Sequence, residues 1–519
     1  MSNFSNTDNF TFGLYLIVFI LTGLIAGRKR RTEAADFYIR QNHLPWYVIG
    51  FSLIAAGISS EQFIGTVGAV YSRGMVTANW EWGIAPAVVI MVVLFVPYYL
   101  RHRILTTPEF LEKRFNERVS SLYAGLSVLI YIFINLAGVL YSGGFAMSQI
   151  LGINLYVCIA LIAITVGFFS IYGGMASLAS ISVLQACMLL GGGMLLFVMG
   201  ISRVEGGLSA IIGVGERAHL IRPVSDTEIP WTALLVLMFS TNIWYYCTSQ
   251  NINQSALGAK NSWNGKMGIV FAGFLLLLVP LADVFPGLIA YKLNPNLPKA
   301  DMAFVYVIQQ LLPVGGSGIM YGVLIFSVVT AILSGINGVS TIFTFDIYRK
   351  LVKKEHSQAQ LIKIGRYFAA GALAIGSLYT PVVGSFKHIF DFFQECWAFV
   401  AIPISLTFLF GVLSKRMTSN LAFYLLLSTF PMFLMPYLVK ILRITMNIFN
   451  VAGIVWVFMC LFCLIYMFFD NNTEVERNNK TVGTVQPVVD EIVVPWFKSI
   501  GLWLTVMIFC YLGIYFLLW

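Results

Sequence analysis

Charge is scarce in this chain. Asp, Glu, Lys and Arg together make up 11% of its 519 residues, whereas hydrophobic residues make up 58%. Because a soluble domain has roughly 25% charged residues, this composition excludes an ordinary soluble protein and predicts a polytopic membrane protein. The net charge of +9 does not indicate nucleic-acid binding, because the basic residues cluster in short loops between apolar runs, as membrane topology requires.

Motifs for catalysis and for metal binding are also lacking. The seven cysteines lie in apolar segments and have neither disulfide nor metal-ligand spacing. The sequence has no nucleophile elbow, no phosphate-binding loop and no paired catalytic residues. We therefore predict that the chain is not an enzyme and that it holds no prosthetic group.

Long apolar runs are abundant. Windows of about 20 apolar residues predict about fourteen spans, near 11–27, 46–71, 80–100, 119–147, 151–171, 176–202, 230–252, 267–291, 317–347, 367–383, 388–414, 419–439, 447–469 and 497–518. Most of the 32 Lys and Arg residues fall in alternate loops, the first of which is near 28–45. The positive-inside rule places those loops in the cytoplasm, so both termini of this cell-membrane protein are predicted to be extracytoplasmic.

Two predicted spans are interrupted by small or polar residues. The span near 46–71 breaks at Ala55–Ser60, and the span near 230–252 breaks at Tyr245–Gln250. Paired interruptions at matching positions of two halves are typical of secondary transporters that are built from inverted repeats.

The interruptions also predict the domain organisation. Each of them begins a block of five spans, so that one repeat covers 46–202 and the other covers 230–414. A preceding helix with its cytoplasmic loop (11–45) and peripheral C-terminal helices (419–519) complete a single transmembrane domain over residues 1–519. The predicted fold is therefore all-helical, with a five-plus-five inverted-repeat core.

Polar residues occur at membrane depth near the first interruption. Glu61 and Gln62 follow it directly, and Glu81 lies at the start of the next span. Ionisable residues inside a membrane are costly and usually serve a transport pathway. Their positions therefore predict a solute site inside the helical bundle.

Five motifs carry a resemblance to a known family. They are the runs Ser52–Gly65, Trp80–Trp82, Leu105–Phe115, Ser170–Ser177 and Thr341–Tyr348. In this order and on these spans, they resemble the sodium/solute symporter family, most closely its sodium/glucose and bacterial sodium/galactose cotransporter branch. The resemblance extends over about residues 10–440, and it implies a LeuT-like core.

The resemblance implies a sugar site. Its substrate-contacting positions fall on Gln62, Glu81, Asn242 and Gln394, and its gate positions fall on Tyr245 (inner) and Phe390 (outer). Amides and carboxylates suit a sugar, because each hydroxyl of the ring both donates and accepts hydrogen bonds. For each of these residues taken alone, packing between helices is the alternative interpretation.

The resemblance also implies a sodium site. It falls on the backbone carbonyls of Ala55 and Ile58 and on the later positions Ser327, Thr330 and Ala331. Neutral oxygens at an unwound helix suit a sodium ion. The family usually has two adjacent hydroxyls where this chain has Thr330 followed by Ala331, so one side-chain ligand is missing.

Other departures affect positions that serve coupling or substrate. Ser182 stands where the family commonly has an aspartate, Leu276 where the galactose symporter has a sugar-contacting lysine, and Ser255 where an arginine is usual. Asp283, in contrast, is an acid where the family pattern is apolar. It is either a proton-linked group or pathway charge, or a residue near a helix end that is exposed or paired.

Together these observations predict a secondary active transporter. It takes a sugar or sugar-like polyhydroxy solute into the cell by alternating access, with sodium as the transported coupling ion. Because coupling residues are lost, the alternative is a weakly coupled, uncoupled or proton-linked solute transporter, or a sugar sensor. The predicted partners are the solute, sodium and the lipid bilayer, and nucleic acid is not among them.

Overall fold

The computed structural model describes residues 5–27, 43–58, 61–172, 174–213, 215–226, 228–352, 356–386, 388–470 and 495–518. The basic cluster at 28–31 and the polar linker at 471–494 lie outside these residues. So do the side chain of Glu61 and those of positions 171–176 in one of the family-like motifs.

The described residues form helices and turns, apart from an isolated bridge that pairs Leu44 with Ala259. The first helices are α1 Asn6–Gly27, α2 Trp46–Gly57, α3 Val67–Arg73, α4 Met75–Arg101, α5 Thr107–Arg114, α6 Glu117–Leu151, α7 Leu155–Tyr172 and α8 Gly174–Arg203. The next are α9 Gly207–Ile212, α10 Trp231–Val236, α11 Gln250–Leu257, α12 Ser262–Leu293, α13 Ala303–Leu311, α14 Gly316–Val352, α15 Gln358–Val383 and α16 Ile389–Leu413. The last are α17 Ser419–Leu427, α18 Thr429–Met432, α19 Met435–Ile441, α20 Ile448–Phe469 and α21 Ile500–Leu517.

Several helices begin at a side chain that caps them. Thr106, Asn116, Asn261 and Ser357 precede α5, α6, α12 and α15, and each accepts a hydrogen bond from a backbone N–H of the first turn. These hydrogen bonds satisfy donors that an α-helix leaves unpaired at its start. The polar residues between apolar runs therefore determine where these helices begin.

Small residues bring the central helices into close contact. Gly50 of α2 lies against Phe271 of α12, and Gly268 of α12 lies against Ile49 of α2. Gly193 of α8 lies against Ala282 of α12 in the same way. Such contacts are typical of membrane bundles, in which helices associate through close packing of small residues. These contacts pack both α2 and α8 against α12.

The first predicted interruption is present in the structure. α2 ends at Gly57, and Ile58 is extended with φ −102° and ψ 115°. A π-helical segment over Glu61–Thr66 then leads into α3, and the segment Gln62–Arg73 is inclined by 59° to α2. Helix breaks at membrane depth are tolerated where the backbone is buried in protein or lines a cavity.

The second interruption is present as well. Two π-helical segments, Leu237–Thr241 and Ile243–Thr248, continue α10. Ser249 is extended with φ −72° and ψ 128°, and α11 begins at the next residue. The break thus falls inside the predicted stretch Tyr245–Gln250.

The predicted count of about fourteen spans is not confirmed. Among the described residues, ten helices are long and apolar enough to cross a membrane, or eleven if α2 and the bent segment after it form one span. The predicted spans near 151–171, 230–252 and 419–439 account for the difference. The first contains a shorter apolar helix, and breaks in the helical hydrogen bonds divide the other two.

The connecting segments meet at two ends of the bundle. At one end, Arg217 donates to the carbonyls of Ser72 and Tyr71, and Asn447 donates to the carbonyl of Glu228. At the other end, Arg114 at the close of α5 donates to carbonyls at the end of α16 and in the turn that follows. Burial lowers the pKa of Arg114 to about 10, and these carbonyls compensate its charge.

Candidate functional site

A polar cavity lies between the two interrupted helices. The six side chains predicted to contact or gate the substrate all line it, namely Gln62, Glu81, Asn242, Tyr245, Phe390 and Gln394. The structure therefore brings together residues that are more than 300 positions apart along the chain.

Gln62 and Glu81 form the polar wall of this cavity. Gln62 Nε2 donates a hydrogen bond of 2.6 Å to Glu81 Oε1. The remaining oxygens, Gln62 Oε1 and Glu81 Oε2, are buried and have no hydrogen-bond partner. Buried polar atoms without partners are rare in folded proteins, so these two oxygens are positioned to accept hydrogen bonds from a solute.

Asn242 and Gln394 face the cavity from other helices. Asn242 lies between the two π-helical segments after α10, and its Nδ2 donates to the carbonyl of Gly83 at 3.0 Å. That bond orients the amide and leaves its oxygen as an acceptor. Gln394 comes from the start of α16 and is almost fully buried.

Aromatic rings close the cavity at two sides. Tyr245 lies 5.5 Å from Trp397 between ring centroids, and Phe390 lies 5.2 Å from Trp80. Arg73 adds a cation–π contact, with its Cζ 5.6 Å from the centre of the Phe390 ring. These contacts place both predicted gate residues at the boundary of the cavity.

A second cavity, here called the vestibule, adjoins the substrate cavity. Arg73, Glu228 and Asp391 line it, and Gln394 lines both the vestibule and the substrate cavity. Arg73 forms ion pairs with Asp391 at 2.9 Å and with Glu228. Arg73 therefore contacts both the acids of the vestibule and the ring of Phe390, which lines the substrate cavity.

Several further side chains line the cavity that sequence reasoning did not select, and three of them matter most for a polar solute. They are Thr66, Thr241 and Trp397. Each is one helical turn from, or adjacent to, a predicted contact, since Thr66 follows Gln62 by four residues and Trp397 follows Gln394 by three. That spacing places residues on one face of a helix and was the signal available for finding them.

The predicted sodium positions lie on helices that pack against each other. Ala55 is in the last turn of α2, where carbonyls lack helical donors, and Ile58 follows the end of that helix. In α14, Ser327 donates to the carbonyl of Leu324 and Thr330 to that of Phe326. Both hydroxyl hydrogens are thus engaged, so their oxygens are left to act as acceptors. Neutral oxygens are the ligands that suit a sodium ion, and the sodium site stays a prediction.

The departures from the family pattern are buried within the bundle. Less than 5% of the surface is exposed at Ser182, Ser255 and Leu276. Asp283 is fully buried, with 0% exposed. Asp283 has no hydrogen-bond partner for either oxygen. The interpretation of Asp283 as an exposed or paired residue near a helix end is therefore wrong, because α12 continues for ten residues beyond it.

Two interrupted helices that face a polar cavity at the centre of an all-helical bundle define a secondary transporter. The sequence profile of the sodium:solute symporter family matches residues 37–428. The chain belongs to this family, and it is a sodium-coupled solute symporter. The family consists of transporters rather than enzymes.

Named relatives are similar over most of the chain. A sodium/glucose cotransporter of Vibrio parahaemolyticus is 34% identical over 444 residues, which cover 80% of this chain and 82% of that protein. A human sodium/myo-inositol cotransporter is 28% identical over 459 residues, which cover 79% of this chain and 64% of that protein.

A solved structure shares the fold. A sodium-coupled sialic acid symporter in a substrate-bound, outward-open state superimposes with a TM-score of 0.75 at 21% identity. The match covers 90% of this chain and 99% of that chain. The all-helical architecture is therefore that of the LeuT-fold transporters.

Proposed function

We propose that this symporter carries a sugar or a sugar-like polyhydroxy solute into the cell. The observation that supports the proposal most directly is the convergence of Gln62, Glu81, Asn242 and Gln394 on one cavity. Their amide and carboxylate groups supply both acceptors and donors, which a ring of hydroxyls requires. A solute that lacks these hydroxyls would leave buried polar groups unpaired and bind weakly.

The names of similar proteins and the aromatic lining of the cavity both support this solute class. The similar proteins from Vibrio parahaemolyticus and human are named for glucose and myo-inositol, and both solutes are small polyhydroxy rings. Tyr245, Trp397 and Phe390 offer aromatic faces beside the amides. Such faces suit the apolar surface of a sugar ring and bury it from water.

Alternating access assigns separate roles to the two gates. The ion pairs of Arg73 and the ring of Phe390 separate so that solute enters from the vestibule. Once solute and sodium are bound, the outer gate closes and Tyr245 leaves its contact with Trp397 to open the inward path. The inner gate residue Tyr245 lies in the second interrupted helix, and Arg73 of the outer gate lies at the end of α3, which follows the first interruption. At an interruption fewer backbone hydrogen bonds oppose a movement of the helix.

Sodium binds at the first interruption in this proposal. The carbonyls of Ala55 and Ile58, with Ser327 and Thr330, hold the ion, and Ala331 supplies no side-chain oxygen. Because Gln62 follows Ile58 by four residues, an ion at the break orders the segment that carries the substrate contact. Sodium then favours solute binding through the same helix.

The repeats and the topology remain part of the proposal. We assign one repeat to 46–202 and the other to 230–414, with 11–45 before them and peripheral helices at 419–519. Both termini lie outside the cell and the basic loops inside.

Uptake by proteoliposomes tests the proposed function. Purified protein is reconstituted, and uptake of radiolabelled glucose, galactose and myo-inositol is measured with an inward sodium gradient or an equal potassium gradient. We expect at least one solute to accumulate only with sodium, and Gln394→Ala to weaken that uptake. Gln310→Ala, which removes an exposed amide on α13, serves as the control.

Two outcomes would contradict the proposal. Uptake that is equal in sodium and in potassium would remove the coupling. Binding of a sugar without any uptake would favour a sensor instead.

A further inference from the structure

Asp283 is a buried acid that the transport cycle above does not use. It lies in α12 with 0% of its surface exposed, and neither carboxylate oxygen forms a hydrogen bond. The backbone N–H groups of Asp283 and Val284 lie nearby, but their geometry does not satisfy these oxygens. Burial of a charged carboxylate is costly unless the charge is paired or neutralised. Asp283 therefore requires a bound cation or proton.

Glu81 faces the same region from α4. Its Oε1 accepts the hydrogen bond from Gln62, whereas its Oε2 is buried and unpaired. The start of α4 contacts α12, because Trp82, the residue after Glu81, donates from its indole N–H to the carbonyl of Leu277 at 3.3 Å. The charge of Glu81 therefore acts on Asp283 in the same helix. Tyr511 of α21 also acts on Glu81, but its hydroxyl already donates to the carbonyl of Gly273 at 2.9 Å. No described Lys, Arg or His side chain pairs with either acid.

A proton fits this position better than a metal ion. Glu81 lines the substrate cavity, whereas Asp283 is not among the residues that line it. A methyl group added to Gly193 would overlap Ala282, the residue before Asp283, so α8 and α12 are closely packed at this level. A sodium ion needs room for several oxygen ligands, whereas a proton adds almost no volume and neutralises one charge.

We propose that Glu81 and Asp283 form a proton-binding site beside the substrate cavity, in which Asp283 holds a single proton. The proposal rests on the proposed function and deepens it. With the proton on Asp283, Glu81 keeps its charge and accepts hydrogen bonds from Gln62 and from a solute hydroxyl. Two like charges in one buried site oppose each other, so the pair carries one negative charge when solute binds.

The site links substrate affinity to pH. As the pH rises, the proton leaves Asp283 for water, and a second negative charge develops next to Glu81. Repulsion between the two carboxylates then displaces Glu81 from the position in which it accepts from solute. Above the pH at which Asp283 loses its proton, the apparent dissociation constant of the solute rises by up to about tenfold per pH unit. This slope is the limit for the loss of one proton.

Substrate binding over a range of pH tests this linkage. Binding of radiolabelled glucose to the purified full-length protein is measured at saturating sodium, from neutral to alkaline pH. We expect affinity to fall in the wild type and to stay constant in Asp283→Asn, which keeps the shape of the side chain and cannot ionise. Asp283→Leu, an apolar side chain of similar size, gives the same result by a second route.

A matched control separates this pair from buried acids in general. Asp346 on α14 is also buried and has an oxygen without a hydrogen-bond partner, but it does not line the cavity. Asp346→Asn is expected to keep the pH profile of the wild type. A profile that is the same in wild type and in Asp283→Asn would overturn the proposal.

Infrared difference spectroscopy tests the proton directly and needs no solute. Spectra of the purified protein at neutral and alkaline pH report protonated carboxyl groups. We expect one component of the protonated carboxyl signal at neutral pH to be absent in Asp283→Asn and present in Asp346→Asn. If glucose, galactose and myo-inositol all fail to bind, the proposed solute class fails, while this signal still decides the proton site. An absence of any signal that depends on Asp283 would overturn it.

Discussion

At the scale of single residues, the substrate cavity depends on the hydrogen bond between Gln62 and Glu81. Gln62→Ala removes the amide that donates to Glu81 and leaves the Glu81 carboxylate without this hydrogen bond. We expect the free energy of solute binding to weaken by about 1–3 kcal/mol. The apparent affinity for solute in the uptake assay would weaken by about fivefold to about 150-fold.

A second buried amide provides the control for Gln62. Gln185 accepts from Tyr15 and donates to the carbonyl of Val323, away from the cavity. Gln185→Ala is expected to lower the melting temperature and to leave solute affinity unchanged. Equal affinities in wild type and Gln62→Ala would remove Gln62 from the substrate contacts.

Thr330 and Ala331 differ in what they offer a cation. Thr330→Ala removes a hydroxyl oxygen, so we expect the sodium concentration for half-maximal uptake to rise by about tenfold, or ~1.4 kcal/mol. Ala331→Ser adds an oxygen at the position where the family usually has one, so the required sodium concentration should fall. The measurement is the sodium dependence of solute uptake. A sodium dependence that neither variant shifts would exclude this ion site.

Residue-level reasoning from sequence succeeded where a residue type is costly at its position. Gln62 and Glu81 are polar groups at membrane depth, and the structure places both in the cavity. Trp397 was not predicted, because an aromatic residue in an apolar run is ordinary. The burial of Asp283 could not be decided either, since it depends on the packing of α8 and α4 around α12.

At the scale of helices, the run Gly191–Gly193 shows how close packing holds α8 against α12. Gly193→Ala places a methyl group on Ala282, and overpacking of this kind costs about 1–3 kcal/mol. Gly191 has no atom within 4 Å of an added Cβ, so Gly191→Ala is the matched control. Thermal unfolding in detergent should show a lower midpoint for the first variant only. A midpoint unchanged by Gly193→Ala would contradict the contact.

The connection between α12 and α13 contains an acid that titrates near neutrality. Burial, together with nearby Asp391, raises the pKa of Asp301 to about 7. The unfolded pKa is about 3.9, so the folded state binds more protons between the two values. Stability is therefore full at acidic pH and falls as the pH rises through 7. Asp301→Asn should remove this fall, measured as the unfolding midpoint against pH.

Asp226 serves as a control of opposite sign. Burial raises its pKa, but hydrogen bonds from the backbone of Ile229 and Glu228 and from Arg222 lower it further, so the net pKa is below the usual value. Its stabilising contribution is present at neutral pH and is lost in acid. Asp226→Asn should therefore destabilise the protein at neutral pH. A similar pH profile for both variants would contradict these assignments.

The helices themselves were predictable to different degrees. Both interruptions follow from small and polar residues inside apolar runs. In the structure the helices are interrupted at Ile58 and Ser249, which are extended. The count of spans was less predictable. A window of apolar residues does not show where the helical hydrogen bonds stop, so the region near 419–439 reads as one span and folds as three short helices.

At the scale of the whole molecule, the two ends of the bundle differ in chemistry. One end has the vestibule, with Arg73, Asp391 and Glu228 above the cavity. The other end has Arg114, whose guanidinium joins α5 to the end of α16. In the proposed cycle, solute that enters at the vestibule meets Phe390 before the polar wall, and its release requires Tyr245 to move. The direction of uptake thus depends on which end faces the outside.

Cysteine labelling of intact cells tests the predicted orientation. Asn296, between α12 and α13, and Lys415, after α16, are both exposed and lie in loops assigned to opposite sides. A membrane-impermeant maleimide should label Asn296→Cys in intact cells and Lys415→Cys only after permeabilisation, because the basic loops face the cytoplasm. The unsubstituted chain, which has seven cysteines, measures the background. The reverse pattern would place the vestibule inside the cell and make the proposed entry path the exit.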